Sequence, residues 1–125
     1  MQHAHMGLVV VADPAAQFQQ WWDGQLRPAN SPQSAQTVAG ERDFEFHCGA
    51  CHSARGTAAG GTVAPDLTHL MSRGTLAGGM LANNIGNLAG WLANPQSLKP
   101  GTNMPNLYLS GQEIASVTAY LQTLQ

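Results

Sequence analysis

Hydrophobic and polar positions divide the chain into two textures. The first opens with MGLVVVA over residues 6–12, a β-branched apolar run that predicts a strand. Pro14 then starts a helical pattern, AAQFQQWWDGQL, with Phe18, Trp21, Trp22 and Leu26 close to helical spacing. RPANSPQSAQ follows; it lacks large apolar residues and is rich in Pro, Ser, Asn and Gln, which predicts a linker.

From about Thr37 the pattern changes. Residues 37–48 are expected to be helical, with Val38, Phe44 and Phe46 as the bulky apolar positions and Cys48 near the end. Residues 53–66 are mostly Gly, Ala and Thr without period, which predicts loop. Asn87–Asn94 predicts a short helix carrying Leu88, Trp91 and Leu92 and stopped by Pro95. In PQSLKPGTNMPN, Pro95, Pro100 and Pro105 exclude regular helix. Ser110 and Glu113 form a capping-box pattern ahead of Ile114, Val117, Leu121 and Leu124, which share one helical face. The expected organisation is residues 1–26, a linker over 27–36, and a mostly α domain over 37–125.

Composition narrows the function. A chain of 125 residues with 43% hydrophobic residues has room for one small domain with appendages. The net charge of -2, with five scattered cations (Arg27, Arg42, Arg55, Arg73 and Lys99), lacks the basic stripe of a nucleic-acid binder. No apolar run approaches the length of a membrane span. The start MQHAHMGLVVVADP makes a poor secretory signal, because no cationic region precedes its apolar stretch and Asp13 closes it. An exported protein with this start is expected to be a soluble piece of something longer.

The chemistry centres on Cys48-Gly49-Ala50-Cys51-His52, the Cys-x-x-Cys-His pattern of covalent haem c attachment. Two thiols add across the haem vinyl groups, and the adjacent imidazole is then held beneath the iron as an axial ligand. A thioredoxin-like dithiol would need a βαβ context that is missing here. A zinc site would need a second Cys/His pair at finger spacing, and His47 and His69 do not supply one. Methionines stand at 1, 6, 71, 80 and 104. Met104, between Gly101 and Pro105 in a stiff non-helical loop, suits a sixth ligand, whereas Met71 and Met80 have apolar neighbours and suit the core. His/Met ligation fills both axial positions and favours electron transfer over oxygen chemistry. A haem enzyme or ligand sensor with a dissociating Met104 stays open as the alternative.

Residues 40–125 resemble a class I cytochrome c: Gly40 and Phe44 match its first helix, Cys48 to His52 its haem motif, Pro65 and Leu67 the segment after the haem loop, Met104 and Pro105 its methionine loop, and Ile114 to Leu124 its last helix. The resemblance implies three to five short helices around one covalent haem. It also implies a hydrogen bond from the His52 ring to the Pro65 carbonyl and close crossing of Gly40 and Phe44 against Tyr120. Arg73 and Trp91 become candidates for bonding the haem propionates.

APDLTHLMSR, NNIGNLAGWLANP and LKPGTNMP are similar to the cytochrome c domain at the C-terminus of subunit II in caa-type haem-copper oxidases. In that family a His-x-x-Met pair supplies the last two ligands of the dinuclear copper (CuA) centre, followed by a strand, a proline and a Phe/Trp-bearing helix. His3, Met6, Pro14, Phe18, Trp21 and Trp22 match in that order. The family's bridging cysteines have no counterpart, so His3 and Met6 are expected to be empty relics, with CuA copper held only by a full-length parent.

What the resemblance implies is a carrier that takes single electrons from a donor protein (a cytochrome c, another small redox carrier or a quinol-oxidising complex) and gives them to the CuA domain and catalytic subunit of the oxidase. It would work in the periplasm or on the outer face of the bacterial cytoplasmic membrane, anchored there by the parent, and would not be catalytic by itself. A free-standing periplasmic cytochrome c is the other reading.

Overall fold

The computed structural model describes residue 7 and residues 9–125; His3, Met6 and the start of the expected strand lie outside the described residues. Among the described residues five helices carry the fold: α1 (Ala15–Gln25), α2 (Ala35–His47), α3 (Ile85–Ala93), α4 (Pro95–Leu98) and α5 (Gly111–Leu121). A 3₁₀ turn (Leu70–Ser72) and a two-residue antiparallel pair, β1 (Thr75–Leu76) with β2 (Leu81–Ala82), lie between α2 and α3.

Two capping boxes set the framework. The Ser34 hydroxyl accepts from Thr37 N and the Thr37 side chain accepts from Ser34 N, so α2 starts two residues earlier than the sequence pattern suggests. At α5 the same exchange joins Ser110 and Glu113, as expected. These two helices pack along each other. A Cβ on Gly40 would lie 2.0 Å from Ser116 O and 2.8 Å from Tyr120 Cβ, so the crossing requires glycine. One turn on, the Phe44 and Tyr120 rings meet at 5.5 Å and 44°. Both rings are fully buried, and Val117, Leu121 and Leu124 continue the core from α5, with Leu88 and Leu92 from α3.

Two expectations, on the first strand and the proline-rich stretch, need correction, and the buried face of α2 is settled only by the structure. Val9, Val10 and Val11 form no strand and are exposed, because among the described residues no neighbouring strand satisfies their backbone groups. On α2, Val38 and Phe46 face solvent while Phe44 is buried; only the face shared with Gly40 meets α5. Within the proline-rich stretch, Pro95 begins the single turn of α4, since proline is tolerated at a first helical position, and the Asn94 side chain accepts from Ser97 N to cap it.

The stretch after α1 has no helix until Ala35, yet it is bound to the domain. Ala29 N donates to Arg55 O at 2.7 Å and the Asn30 side chain donates to Thr123 O at 3.1 Å. By contrast, α1 buries no residue, and its Phe18, Trp21 and Trp22 rings lie within 6.4 Å of one another on an exposed face. No helix among the described residues is long and apolar enough to cross a membrane.

Candidate functional site

The Cys-x-x-Cys-His segment is shaped by the turn that ends α2. Cys51 N and His52 N both donate to Cys48 O, at 3.0 and 2.9 Å. Gly61 crosses behind this turn, donating its N–H to Gly49 O and His52 O at 3.0 Å each. A Cβ there would stand 2.4 Å from the Cys51 carbonyl carbon, so only glycine lets the loop close. Sequence reasoning treats Gly61 as one of several loop glycines and misses this contact.

His52 is turned by its neighbour across the loop. Its Nδ1 donates to Pro65 O at 2.7 Å, the bond expected from the family resemblance, and Nε2 is left for another partner. A ring fixed through one nitrogen presents the other as a ligand of set tautomer and direction. Backbone bonds from Ala64 N to Cys51 O (2.9 Å) and Leu67 N to Ser53 O (2.8 Å) hold Pro65 in place.

These side chains converge on one cavity of about 780 Å³, within the range of cofactor sites. Cys48, Cys51, His52, Pro65, Arg73, Trp91 and Met104 all line it, so every site residue expected within 37–125 reaches the same space. Phe44, Leu70, Leu76, Leu88, Leu92 and Leu121 complete an apolar wall that is continuous with the core.

The Met104 loop is held by a residue that sequence reasoning overlooks. From α4, the Gln96 amide donates to Thr102 O at 2.7 Å and to Met104 O at 2.8 Å, while its Oε1 accepts from Gly101 N at 3.2 Å. The readable signal was a glutamine placed between two prolines just ahead of the methionine. Lys99, also on the wall, donates to Ala77 O at 2.8 Å and ties this loop to the β1–β2 turn.

Arg73 lines the cavity and donates to Asp66 O, leaving other guanidinium N–H groups for an anion. Burial acts to raise the Asp66 carboxyl, but hydrogen bonds from Thr68 and the charges of Arg55 and Arg73 outweigh it and hold the group below its usual value.

The thiols are free, Cys48 buried and Cys51 exposed. Burial, and secondarily the neighbouring Cys51, pushes the Cys48 thiol up to about 11. Redox dithiols work through a depressed thiol, so this environment is the opposite of what that reading needs. Among the described residues no cluster of three or more His, Cys, Asp or Glu side chains is placed to hold a metal ion. Two thiols at the wall, an imidazole with a free Nε2 and a thioether in one apolar cavity do fit a covalently attached haem.

Helix order, α2–α5 crossing and a thiol-and-imidazole cavity together define a mostly α, class I cytochrome c-like fold. The sequence pattern of the cytochrome c family matches residues 37–125, and the chain belongs to that family, which implies haem c. The chain is similar over 98% of its length to the cytochrome c oxidase subunit 2 proteins of Alkalihalophilus pseudofirmus (32% identical), Bacillus sp. strain PS3 (34%) and Bacillus subtilis strain 168 (32%). It spans 36% of the length of each of these relatives.

Proposed function

We propose that this chain is a one-electron carrier in which Cys48 and Cys51 hold a haem c by thioether bonds and His52 and Met104 are its axial ligands. The observation that carries this reading is the single cavity lined by all four side chains, with the His52 ring already oriented by Pro65 O. When bound, the haem supplies a reversible one-electron couple at its iron. The protein's part is to exclude water with the Leu70, Leu88 and Leu92 wall, to keep Nε2 of His52 free, and to clamp the Met104 loop through Gln96. A stiff ligand loop keeps reorganisation between the two oxidation states small. Arg73 and Trp91 are assigned to the propionates.

In this reading the carrier belongs to a caa-type terminal oxidase on the outer face of the bacterial cytoplasmic membrane, taking electrons from an external donor and giving them to CuA. Similarity to subunit 2 proteins extends over 98% of the chain, beyond the family match at 37–125. That extension supports assigning residues 1–26 to the end of a copper domain, with His3 and Met6 as two of its ligands, and 27–36 to the connection between domains. Val63, at the cavity edge and 84% exposed, offers an apolar contact for a partner.

Replacement of Met104 tests the assignment. Met104→Ala is expected to abolish the methionine-to-iron charge-transfer band and to lower the midpoint potential, while the covalent haem stays attached. An unchanged band would sink the ligand assignment, and a high-spin ferric wild type would favour the haem enzyme instead.

A further inference from the structure

Arg55 stands between the segment that leaves α1 and the cavity. On one side its guanidinium donates to Gln25 O, at the end of α1, and to Arg27 O at 3.4 Å. Its main chain takes part as well: Arg55 O accepts from Ala29 N at 2.7 Å, and Arg55 N donates to the Thr68 hydroxyl at 2.9 Å. The next residue, Gly56, turns with a φ of 94°, and a Cβ there would stand 3.0 Å from Pro28 Cβ. Residues 25–29 therefore lie along Arg55 and Gly56, with Ala29 packed against the core.

On the other side Arg55 Nη1 donates to Asp66 Oδ2 at 3.1 Å, while Thr68 N donates to Asp66 Oδ1 at 2.7 Å. The carbonyl of the same Asp66 accepts from the Arg73 guanidinium, and Arg73 lines the cavity. Asp66 thus joins two arginines, Arg55 through its carboxylate and Arg73 through its main chain. With both carboxylate oxygens held, the Asp66 backbone has little freedom to turn, and the reach of Arg73 is set with it. An exposed ion pair of this kind adds little stability, so its contribution is one of geometry.

The charge at the end of this path matters to the cavity. Among the described residues that line it, Arg73 and Lys99 are the arginine and lysine side chains, and none is Asp or Glu. Lys99 is drawn to Ala77 O, so its place is set from the β1–β2 turn and not from α1. Oxidised haem carries one more positive charge than reduced haem, and a cation held beside it favours reduction. The position of the Arg73 guanidinium therefore bears on the midpoint potential. Arg55 does not line the cavity, and its route to the haem runs through Asp66 and Arg73.

We propose that Arg55 is a positioning residue that couples the seating of residues 25–29 to the haem. With that segment seated, Arg55 holds Asp66 and Asp66 holds Arg73 toward the propionates. When the segment lifts, Arg73 loosens and the midpoint potential falls. The inference rests on the carrier reading, in which Arg73 is assigned to the propionates. Coupling between two sites is reciprocal. A segment that raises the potential when seated must itself be seated more firmly when the iron is reduced, by the same factor. Whatever engages α1 and lifts this segment would lower the potential by the same route.

Redox titration of the haem-loaded wild type, Arg55→Lys, Arg73→Gln and the double variant tests the path. Arg55→Lys keeps the charge but loses the planar fork that reaches Gln25 O, Arg27 O and Asp66 together. Its midpoint potential is expected to fall. In the Arg73→Gln background, where the potential is already lowered, Arg55→Lys is expected to add no further shift. An Arg55→Lys potential equal to that of the wild type, or a shift that persists in full without Arg73, would overturn the proposal and leave the propionate assignment standing. Arg73→Gln at the wild-type potential would instead remove that assignment, and the proposal with it. Hydrogen exchange at Ala29 N–H gives a second arm that needs no variant. Protection is expected to rise about fivefold on reduction of the wild type, and equal protection in both oxidation states would also overturn the coupling.

Discussion

Gly40 of α2 and Ser116 of α5 approach so closely that a methyl group at Gly40 would stand 2.0 Å from the Ser116 carbonyl oxygen. The contact is to backbone, so it cannot be relieved by turning a side chain. Gly40→Ala should therefore force the helices apart and disturb the Phe44–Tyr120 packing beside it. Its gain in helix propensity, about 1 kcal/mol, is smaller than the overpacking cost, which runs to about 3 kcal/mol or more. Denaturant unfolding of the haem-loaded variant should show a net loss of about 2 kcal/mol; a neutral or stabilising result would mean that the crossing is looser than described.

Gln96 makes a different kind of prediction, since it touches the Met104 loop only through its backbone. Gln96→Ala removes two donated bonds and one accepted bond from that loop. At about 1 kcal/mol per net hydrogen bond, the loop should open roughly tenfold or more often. Imidazole added as an external ligand should then displace Met104 at correspondingly lower concentration, while global stability changes less. Equal imidazole affinity in wild type and variant would remove Gln96 from the account.

Haem removal should unfold the chain. The core residues Phe44, Leu70, Leu88, Leu92 and Leu121 also line the cavity of about 780 Å³, so core and cofactor site share one surface. At ~24 cal/mol per Å³, leaving even a third of that volume unfilled costs about 6 kcal/mol, comparable with the whole stability of a small domain. Far-UV circular dichroism of chain made without haem should show most helix lost; a native-like spectrum would count against a shared core.

Acid should destabilise the folded state through two carboxylates. Asp66 is held below its usual value by Thr68, Arg55 and Arg73 against the opposing effect of burial, and Glu113 is held low by its bonds to Ser110 and by His47. A carboxyl depressed by folding stabilises the protein above its unfolded value, about 4, and that contribution is lost as pH falls through the lower folded value. Thermal melts of the haem-loaded chain should fall between roughly pH 4.5 and 2. Asp66→Asn should flatten part of that fall, and an unchanged profile would assign the acid sensitivity elsewhere.

Legibility in the sequence followed the range of the interactions. The capping box Ser110–Glu113, the haem motif Cys48–His52 and the stiff loop around Met104 are local patterns, and the structure places the two capping residues as the pattern implies. The Gly40–Tyr120 crossing and the His52–Pro65 bond came from family resemblance, since each depends on residues far apart in sequence. The strand expected at 6–12 failed over its described part because strand propensity needs a neighbour to pair with, which no local pattern supplies. Phe46 was expected among the apolar positions of its helix and is 83% exposed, because burial depends on which face meets α5. Gly61 and His69 act on backbone atoms of other segments, which sequence pattern does not encode, whereas Gln96 left a local signal between its flanking prolines.

Absorption spectra of the oxidised and reduced chain, with a pyridine haemochrome assay on the same sample, report at once whether a covalent haem is held between His52 and Met104. A haemochrome of two thioether links, a low-spin reduced spectrum and a methionine-to-iron charge-transfer band in the oxidised form are expected. A protein without covalent haem, or one whose ferric form is high-spin and lacks that band, would contradict that placement of the haem.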